Sequence, residues 1–148
     1  MNFTCPHCGN TRPWLPDLCA HCGSDEPPID GPEYVVYNLE AGAPLVDEAL
    51  RTVDHVVDRA MACGIRGLIL IHGHGSSGKG GAIRRAFREG LEGNFWAHKV
   101  VGHVTGEELR PGAEAYTRLV ERRPALRAVL RRDMMGNPGL TVLLLAKR

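Results

Sequence analysis

The sequence predicts an α/β fold: a two-layer sandwich whose four-stranded mixed sheet carries two main helices on one face, plus a small N-terminal zinc-ribbon module. Three observations support this prediction. Strand-like apolar runs alternate with helical periodicity in the order β-α-β-α-β-(α)-β. Four cysteines form two close pairs near the N-terminus. A length of 148 residues allows one substantial core and an appendage stabilised by something other than buried apolar area.

The first four cysteines have the spacing of a structural zinc site. Cys5 and Cys8 form one C-x2-C pair, Cys19 and Cys22 form another, and ten residues separate the pairs. Such pairs supply the four thiolates of a tetrahedral zinc ion. Two disulfides are the alternative, but no secretory apolar segment precedes Cys5, which favours zinc and a cytoplasmic location. A histidine inside either pair could replace a thiolate, although four cysteines already complete the coordination shell.

Composition divides the chain into three parts. Residues 1–24 form the predicted zinc-binding module. Residues 25–33 are rich in proline and acidic residues and are predicted to be a linker. Residues 34–148 form the predicted α/β domain. No apolar run reaches the length needed to span a membrane.

Local patterns predict the elements of the α/β domain. The β-branched and aromatic run at 34–39 indicates a strand, and apolar residues at helical spacing indicate a helix over 45–61, which Gly64 ends. The continuous apolar run GLILI at 67–71 indicates a buried central strand. Further along, the sequence predicts a second amphipathic helix beginning near Ile83, a strand at about 96–104, a basic helical stretch at 112–132 interrupted by Pro124, and a final strand at 140–146. Phe95 and Trp96 are expected in the core.

Charge is distributed unevenly, although the formal net charge is only +1. Residues 1–63 contain three Lys or Arg against ten Asp or Glu, whereas residues 64–148 contain fifteen against seven. The second half could therefore meet phosphate groups, although solvated helix faces are the simpler explanation.

A glycine-rich loop follows the central strand and resembles a nucleotide-binding P-loop. Gly73 to Lys79 reads G-x-x-x-x-G-K, but Gly80 stands where a P-loop has the Ser or Thr that ligates magnesium. Five glycines let the backbone approach a ligand closely, and the loop leads into a helix N-terminus, which favours an oxyanion. Lys79 with Arg84, Arg85 and Arg88 would extend a positive stripe along one face. Such a stripe suits a polymer of phosphates better than a single triphosphate.

From Tyr34 onward the chain resembles the Smr (small MutS-related) domain family. The resemblance lies in the strand ending HGHG at 72–75, the loop SSGKGGA, and the helix that begins with Ile83 and Arg84. The closing segment GNPGLTVLLLAKR is similar to the last strand of the family, and GEELRPGAEAYTRLVERRPALR resembles an insertion of some short bacterial members. The resemblance implies nucleic-acid binding and, as in several members, cleavage of DNA or RNA. The binding residues would be His72, Gly73, His74, Gly75, Lys79, Arg84, Arg85 and Arg88.

One family motif is altered here. The first strand of the family typically ends LDLHG, and its Asp and His are implicated in activity; this chain has YNLEA, with Asn38 and Glu40 at those positions. Glu40 and His72 are the remaining candidates for catalysis, with Mg²⁺ or Mn²⁺ activating a water. His72 at a strand end could equally be a core histidine with satisfied hydrogen bonds.

Three functions follow from these interpretations. The first is a nucleic-acid-binding protein that is an endonuclease if metal activates water near Glu40. The second is a catalytically silent adaptor that binds RNA, a ribosomal surface or a protein, with the zinc module as the docking element. The third is a nucleotide-binding protein with a degenerate P-loop. A helix whose arginines were paired internally would argue against the phosphate-binding interpretation.

Overall fold

A computed structural model describes residues 2–74 and 79–147, with the side chains of Lys79 and Gly80 also outside the description. Short strands β1 (Phe3–Thr4) and β2 (Thr11–Arg12) pair antiparallel in the cysteine-rich segment. The main elements are β3 (Tyr34–Asn38), α1 (Val46–Ala62), β4 (Gly67–Ile71), α2 (Lys79–Glu92), β5 (Val100–Thr105), α3 (Glu114–Arg122), α4 (Leu126–Val129) and β6 (Leu140–Leu145). Two 3-10 turns, Gly106–Glu108 and Arg132–Met134, follow β5 and α4.

The main sheet has four strands in the order β3-β4-β6-β5. Strands β3 and β4 are parallel, whereas β6 is antiparallel to both of its neighbours. The α1 connection between β3 and β4 is the helical crossover that parallel neighbours require. The predicted four-stranded mixed sheet is therefore confirmed.

Helices α1 and α2 cover one face of the sheet. Alternate strand residues such as Leu68 and Leu70 point to this face, where they join Val53 of α1 and Phe87 of α2 in one buried cluster. Both helices are amphipathic and have helical-period apolar stripes, as their sequences predict. This packing confirms the predicted arrangement of the two main helices.

The insertion between β5 and β6 covers the opposite face. Ile69 of β4 points there and clusters with Leu119 of α3, Leu126 of α4 and Met134 of the second 3-10 turn. Both faces of the central strands are therefore buried, which explains the unbroken apolar run of β4. The sequence predicted helix in this insertion but did not place it on the sheet.

Three details of the sequence prediction are wrong. Helix α2 begins at Lys79 rather than near Ile83, so the last four residues of the predicted glycine-rich loop belong to the helix. The third main strand begins at Val100 rather than near Trp96, because residues 96–99 form turns in which Lys99 and Val100 donate to the Trp96 carbonyl. Trp96 is buried as expected, but Phe95 is 77 % exposed. Asn94, whose φ of 59° lies in the left-handed region, precedes the two rings, and the exposed Phe95 ring packs against the buried Trp96 ring with centroids 5.7 Å apart.

Residues 25–33 contact the cysteine-rich segment. The backbones of Thr4 and Ile29 exchange two hydrogen bonds, of 2.8 and 2.9 Å. Phe3 and Trp14 are buried in the same cluster as the residues of α1, so the apolar core extends from the module into the α/β domain. The boundaries after residues 24 and 33 stay a prediction.

Among the described residues, no helix combines the length and apolar character needed to cross a bilayer.

Candidate nucleic-acid interface and metal centre

Four chain segments meet along one edge of the main sheet. Asn38 at the end of β3 pairs in register with Ile71 at the end of β4, and Ile71 pairs with Leu140 at the start of β6. Thr105 at the end of β5 pairs with Thr141 of β6. We call this side the carboxyl edge, since the two parallel strands end there. Ligands of open α/β sheets commonly bind outside such strand ends.

The turn after β4 is fixed against the turn before β6. The backbone N–H groups of His72 and Gly73 both donate to the Gly139 carbonyl, at 2.8 and 2.9 Å. Gly73 has a φ of 76°, which a residue with a Cβ rarely adopts, and Asn137 Oδ1 accepts a hydrogen bond from the Gly139 N–H at 2.7 Å. The next residue, His74, is exposed beside this pair of turns. Gly75 and the loop up to residue 78, together with the Lys79 side chain, lie outside the described residues.

His72 is fully buried at this edge. Its Nδ1 lies 2.7 Å from the Gly73 carbonyl oxygen, which can only accept, so Nδ1 carries the proton and donates. Its Nε2 therefore accepts from the Thr141 hydroxyl at 2.9 Å. Burial, with further contributions from the nearby Arg88 and Arg84, lowers the pKa of His72 to about 4. The side chain is neutral near pH 7 and links β4 to β6, which is the role of a core histidine rather than of a ligand contact.

Glu40 lies two residues beyond β3 on the same edge. It is half-buried, and its backbone N–H donates to Asn38 Oδ1 at 2.9 Å, so the replaced motif forms a local turn. Within residues 2–74 and 79–147, the one cluster of three or more side chains able to ligate a metal is the set of four cysteines. Among the described residues, then, Glu40 does not belong to a group of three or more metal-ligating side chains.

Two of the three predicted arginines of α2 are paired with one carboxylate. Arg88 donates from both of its terminal nitrogens to Glu107, at 2.7 and 2.9 Å, and Arg84 adds a hydrogen bond of 2.8 Å. The hydrogen bonds from Arg88 and Arg84 lower the pKa of Glu107 to about 2. Arg85 is exposed and has no carboxylate partner among the described residues. In the free protein, Glu107 therefore offsets one of the four positive charges of the stripe and engages two of its arginines, which argues against the simplest form of the phosphate-binding prediction.

Sequence reasoning missed Glu107. This residue lies in the 3-10 turn after β5 and is 19 residues from Arg88 along the chain. No local pattern predicts the pairing, because it depends on β5 and the α2 N-terminus meeting at one edge. The placement of β5 beside β6, rather than beside β4, would have been needed to find it.

The four predicted cysteines come together in two similar turns. All four sulfur atoms lie within 4.8 Å of one another, with Cys5–Cys22 at 3.8 Å and Cys8–Cys19 at 3.9 Å. A tetrahedral zinc ion with Zn–S bonds of about 2.3 Å separates its sulfurs by about 3.8 Å, so the set fits zinc. In each turn a glycine N–H, of Gly9 or Gly23, donates to the carbonyl of the first cysteine.

The surroundings of Cys8 favour the thiolate that a metal requires. Hydrogen bonds from the backbone and the side-chain amide of Asn10 lower the pKa of Cys8 to about 6, whereas burial and the three neighbouring cysteine thiols raise the pKa of Cys22 to about 12. The fifth cysteine, Cys63, is buried against α1 residues, and burial raises the pKa of its thiol. The structure therefore separates four candidate metal ligands from one packed thiol.

Arg59 of α1 fastens the cysteine-rich module to the α/β domain. Its guanidinium is buried and donates to the carbonyls of Asp17, Asp25 and Trp14, at 2.9, 3.3 and 3.4 Å. His55, one helical turn earlier, lies 3.1 Å from the Asp17 carboxylate. Sequence reasoning did not identify Arg59, which appears in the sequence as one more charged position of an amphipathic helix.

The four-stranded mixed sheet, its two covering helices and the glycine turn at its carboxyl edge define a small α/β domain with a four-cysteine module attached. The sequence model of the Smr domain matches residues 45–118, which is half of the chain. The protein belongs to the Smr domain family, whose domains are nucleic-acid-binding and endonuclease-like.

One solved structure that the chain is similar to is the Smr domain of Thermus thermophilus MutS2. The identity is 27%, the alignment covers 77% of this chain and 98% of that chain, and the TM-score is 0.44. No curated protein sequence matches this chain.

Proposed function

We propose that this protein binds nucleic acid through the phosphate backbone, at the carboxyl edge of its sheet. The observation that carries the proposal is the position of the Smr glycine turn: it leads from β4 into α2, which bears Arg84, Arg85 and Arg88. Free N–H groups at a helix N-terminus and neighbouring guanidinium groups both favour phosphate oxygens. A polynucleotide can use several of these contacts together, because it carries one phosphate at each nucleotide.

The predicted binding residues would contribute in different ways, and not all of them would contact the nucleic acid. Gly73 and Gly75 would allow close backbone approach, while Lys79 and Arg85 would contact phosphate directly. His74 is exposed beside the turn and could donate to a phosphate or sugar. His72 would contribute indirectly. It is buried, and its hydrogen bonds hold the glycine turn against β6 without contacting a ligand.

The salt dependence of binding tests this proposal. We expect a labelled RNA hairpin or DNA duplex to bind with an affinity that falls steeply as salt rises, since each neutralised phosphate releases counterions. Lys79→Ala combined with Arg85→Ala should weaken binding on every sequence and lower the slope of log K against log salt by about 1 to 2. Arg51→Ala is the matched control, because Arg51 is an exposed arginine of α1. Binding that is insensitive to salt would contradict the proposal.

Cleavage is a second candidate function, favoured by the family and by Glu40 at the same edge. Among the described residues, Glu40 belongs to no group of three or more side chains that could ligate Mg²⁺ or Mn²⁺, so no catalytic step through such a metal follows from them. Incubating the protein with labelled RNA, duplex DNA and branched DNA, with and without each metal, tests for nuclease activity. Cleavage that Glu40→Gln abolishes would establish the enzyme. Binding without cleavage would establish a catalytically silent adaptor.

Nucleotide binding is the weakest of the three candidates. Gly80 lacks the hydroxyl that a P-loop uses to hold magnesium. We expect equilibrium dialysis with ATP and GTP in the presence of magnesium to show no saturable binding. Saturable binding in the micromolar range would instead assign the loop to a nucleotide.

A further inference from the structure

Glu107 holds two arginines in the geometry of an occupied anion site. Both carboxylate oxygens are used: Oε1 accepts from Arg88, and Oε2 accepts from Arg88 and from Arg84, at 2.7 to 2.9 Å. A phosphodiester presents the same features to its ligands, namely two terminal oxygens that share one negative charge. Arginine forks recognise carboxylates and phosphates in the same bidentate manner.

The arginines have donors that Glu107 does not use. The Nε atoms of both Arg84 and Arg88 are buried without a hydrogen-bond partner among the described residues. Buried donors usually find partners, so an arrangement that leaves two unpaired favours an additional acceptor. Besides its two terminal oxygens, a phosphodiester has two ester oxygens, and these could accept from the unpaired Nε–H groups.

Glu107 can leave the arginines without a change in the fold. Its side chain is 42 % exposed, so it can rotate towards solvent. The backbone before it is closely packed. Gly106 lies so near the Asn137 carbonyl oxygen that a Cβ on this residue would be only 1.6 Å from it. Exchange of one anion for another at the arginines would therefore need only a side-chain rotation.

We propose that Arg84 and Arg88 form a binding site for one phosphodiester group of the nucleic acid, and that the Glu107 carboxylate occupies this site until a phosphate displaces it. The inference rests on the proposed nucleic-acid binding and adds an internal competitor to it. A phosphate that makes no other contact would bind poorly, since the free energy lost in displacing Glu107 offsets the free energy gained from the two arginines. A nucleic acid that makes further contacts at the glycine turn would overcome this competition.

Replacement of Glu107 should strengthen binding. We expect Glu107→Gln to raise the affinity for a fluorescein-labelled RNA hairpin by roughly five- to tenfold in anisotropy titrations at low salt. Glu89→Gln makes the same charge change at an exposed position of α2 and is the matched control. Glu107→Asp keeps the net charge but shortens the side chain, so a gain with this variant would assign the effect to released arginines. Circular dichroism and thermal unfolding establish that each variant is folded.

The effect must depend on the arginines. In a protein that already carries Arg84→Ala and Arg88→Ala, Glu107→Gln should leave the affinity unchanged. Equal affinities of the Glu107→Gln and Glu89→Gln variants, or weaker binding by Glu107→Gln, would overturn the inference while wild-type binding upheld the proposed function. Absence of salt-dependent binding by the wild-type protein would contradict the proposed function itself.

Discussion

His72 uses both of its ring nitrogens: Nδ1 bonds to the adjacent Gly73 carbonyl, and Nε2 connects the end of β4 to Thr141 of β6. The Gly73 carbonyl fixes the tautomer, and the Thr141 hydroxyl completes the pair of hydrogen bonds. Phe87 of α2 packs beside the ring with centroids 5.6 Å apart. The histidine of the HGHG motif therefore shapes the edge from inside, and this explains how it could matter for function without contacting a ligand.

The buried neutral state of His72 predicts a pH-dependent stability. Its pKa is about 4 in the folded protein and about 6.5 in an unfolded chain, so between these values the unfolded state binds more protons. The free energy of unfolding should fall by up to about 3 kcal/mol as pH drops from 6.5 to 4. Denaturant unfolding at several pH values measures this change. The His72→Gln variant should lose this fall in the free energy of unfolding between pH 6.5 and 4, whereas the His74→Gln variant should retain it.

Arg59 is a second buried residue whose role can be measured. Its three hydrogen bonds, two to module carbonyls and one to the Asp25 carbonyl of the following segment, are made in a buried place, so Arg59→Ala should lower the free energy of unfolding by about 3 kcal/mol. Arg51→Ala, at an exposed position of the same helix, should change it by less than about 0.5 kcal/mol. Tryptophan fluorescence during denaturant unfolding reports both values, because Trp14 is buried at this contact. Equal stabilities of the two variants would show that the module is held by other contacts.

Residue types could be predicted from the sequence more readily than residue partners. Cys5 and the other three cysteines follow a fixed spacing, and Arg84 and Arg88 follow from the motif of the helix. The ion-pair partners of these arginines do not follow from the motif. Arg88 pairs with Glu107 only because β5 ends beside α2. Ion pairs of this kind depend on strand order, which local periodicity does not contain.

At the scale of elements, the strands and helices with the strongest periodicity were predicted within one or two residues. The apolar stripe of α1 and the continuous run of β4 are both dictated by burial, so the sequence contains their boundaries. The start of β5 was misplaced because an aromatic pair resembles strand sequence. In the fold, Trp96 is instead anchored from a turn, where its indole N–H donates to Asp54 at 2.5 Å.

A metal ion bound by all four cysteines would hold the two cysteine turns together as one structural unit. We expect the purified protein to contain a single zinc ion per chain, as measured by plasma mass spectrometry. Cys19→Ala should lose the metal and expose Trp14, which is a buried residue of the module itself, whereas Cys63→Ala should retain the metal. Iron in place of zinc would revise the identity of the ion. No metal in the wild-type protein would contradict the assignment of this cluster.

At the scale of the whole molecule, the uneven charge of the sequence becomes a polarity between the acidic module and α1 and the basic remainder of the chain, which includes α2 and the insertion. The acidic first half contributes the cysteine-rich module and α1, which lie on one face. The insertion covers the other face and exposes several arginines, among them Arg110, Arg122, Arg127 and Arg132. The insertion at residues 106–139 contains seven arginines and five acidic residues, so its net charge is +2, the same as that of α2. The exposed arginines of the insertion therefore give a long polyanion a second place of contact besides α2, since opposite charge steers association.

This polarity gives a prediction that separates a local phosphate contact from an extended one. Arg122→Glu combined with Arg127→Glu should weaken binding of a long duplex more than binding of a short hairpin, because only the long ligand can reach from the carboxyl edge across the insertion. The slope of log K against log salt should fall by about 1 to 2 for the long duplex. Arg51→Glu places a single charge reversal on the α1 side and should leave both affinities within about twofold. Equal losses for the short and the long ligand would show that the insertion acts through net charge alone, and nucleic acid would then contact the carboxyl edge only.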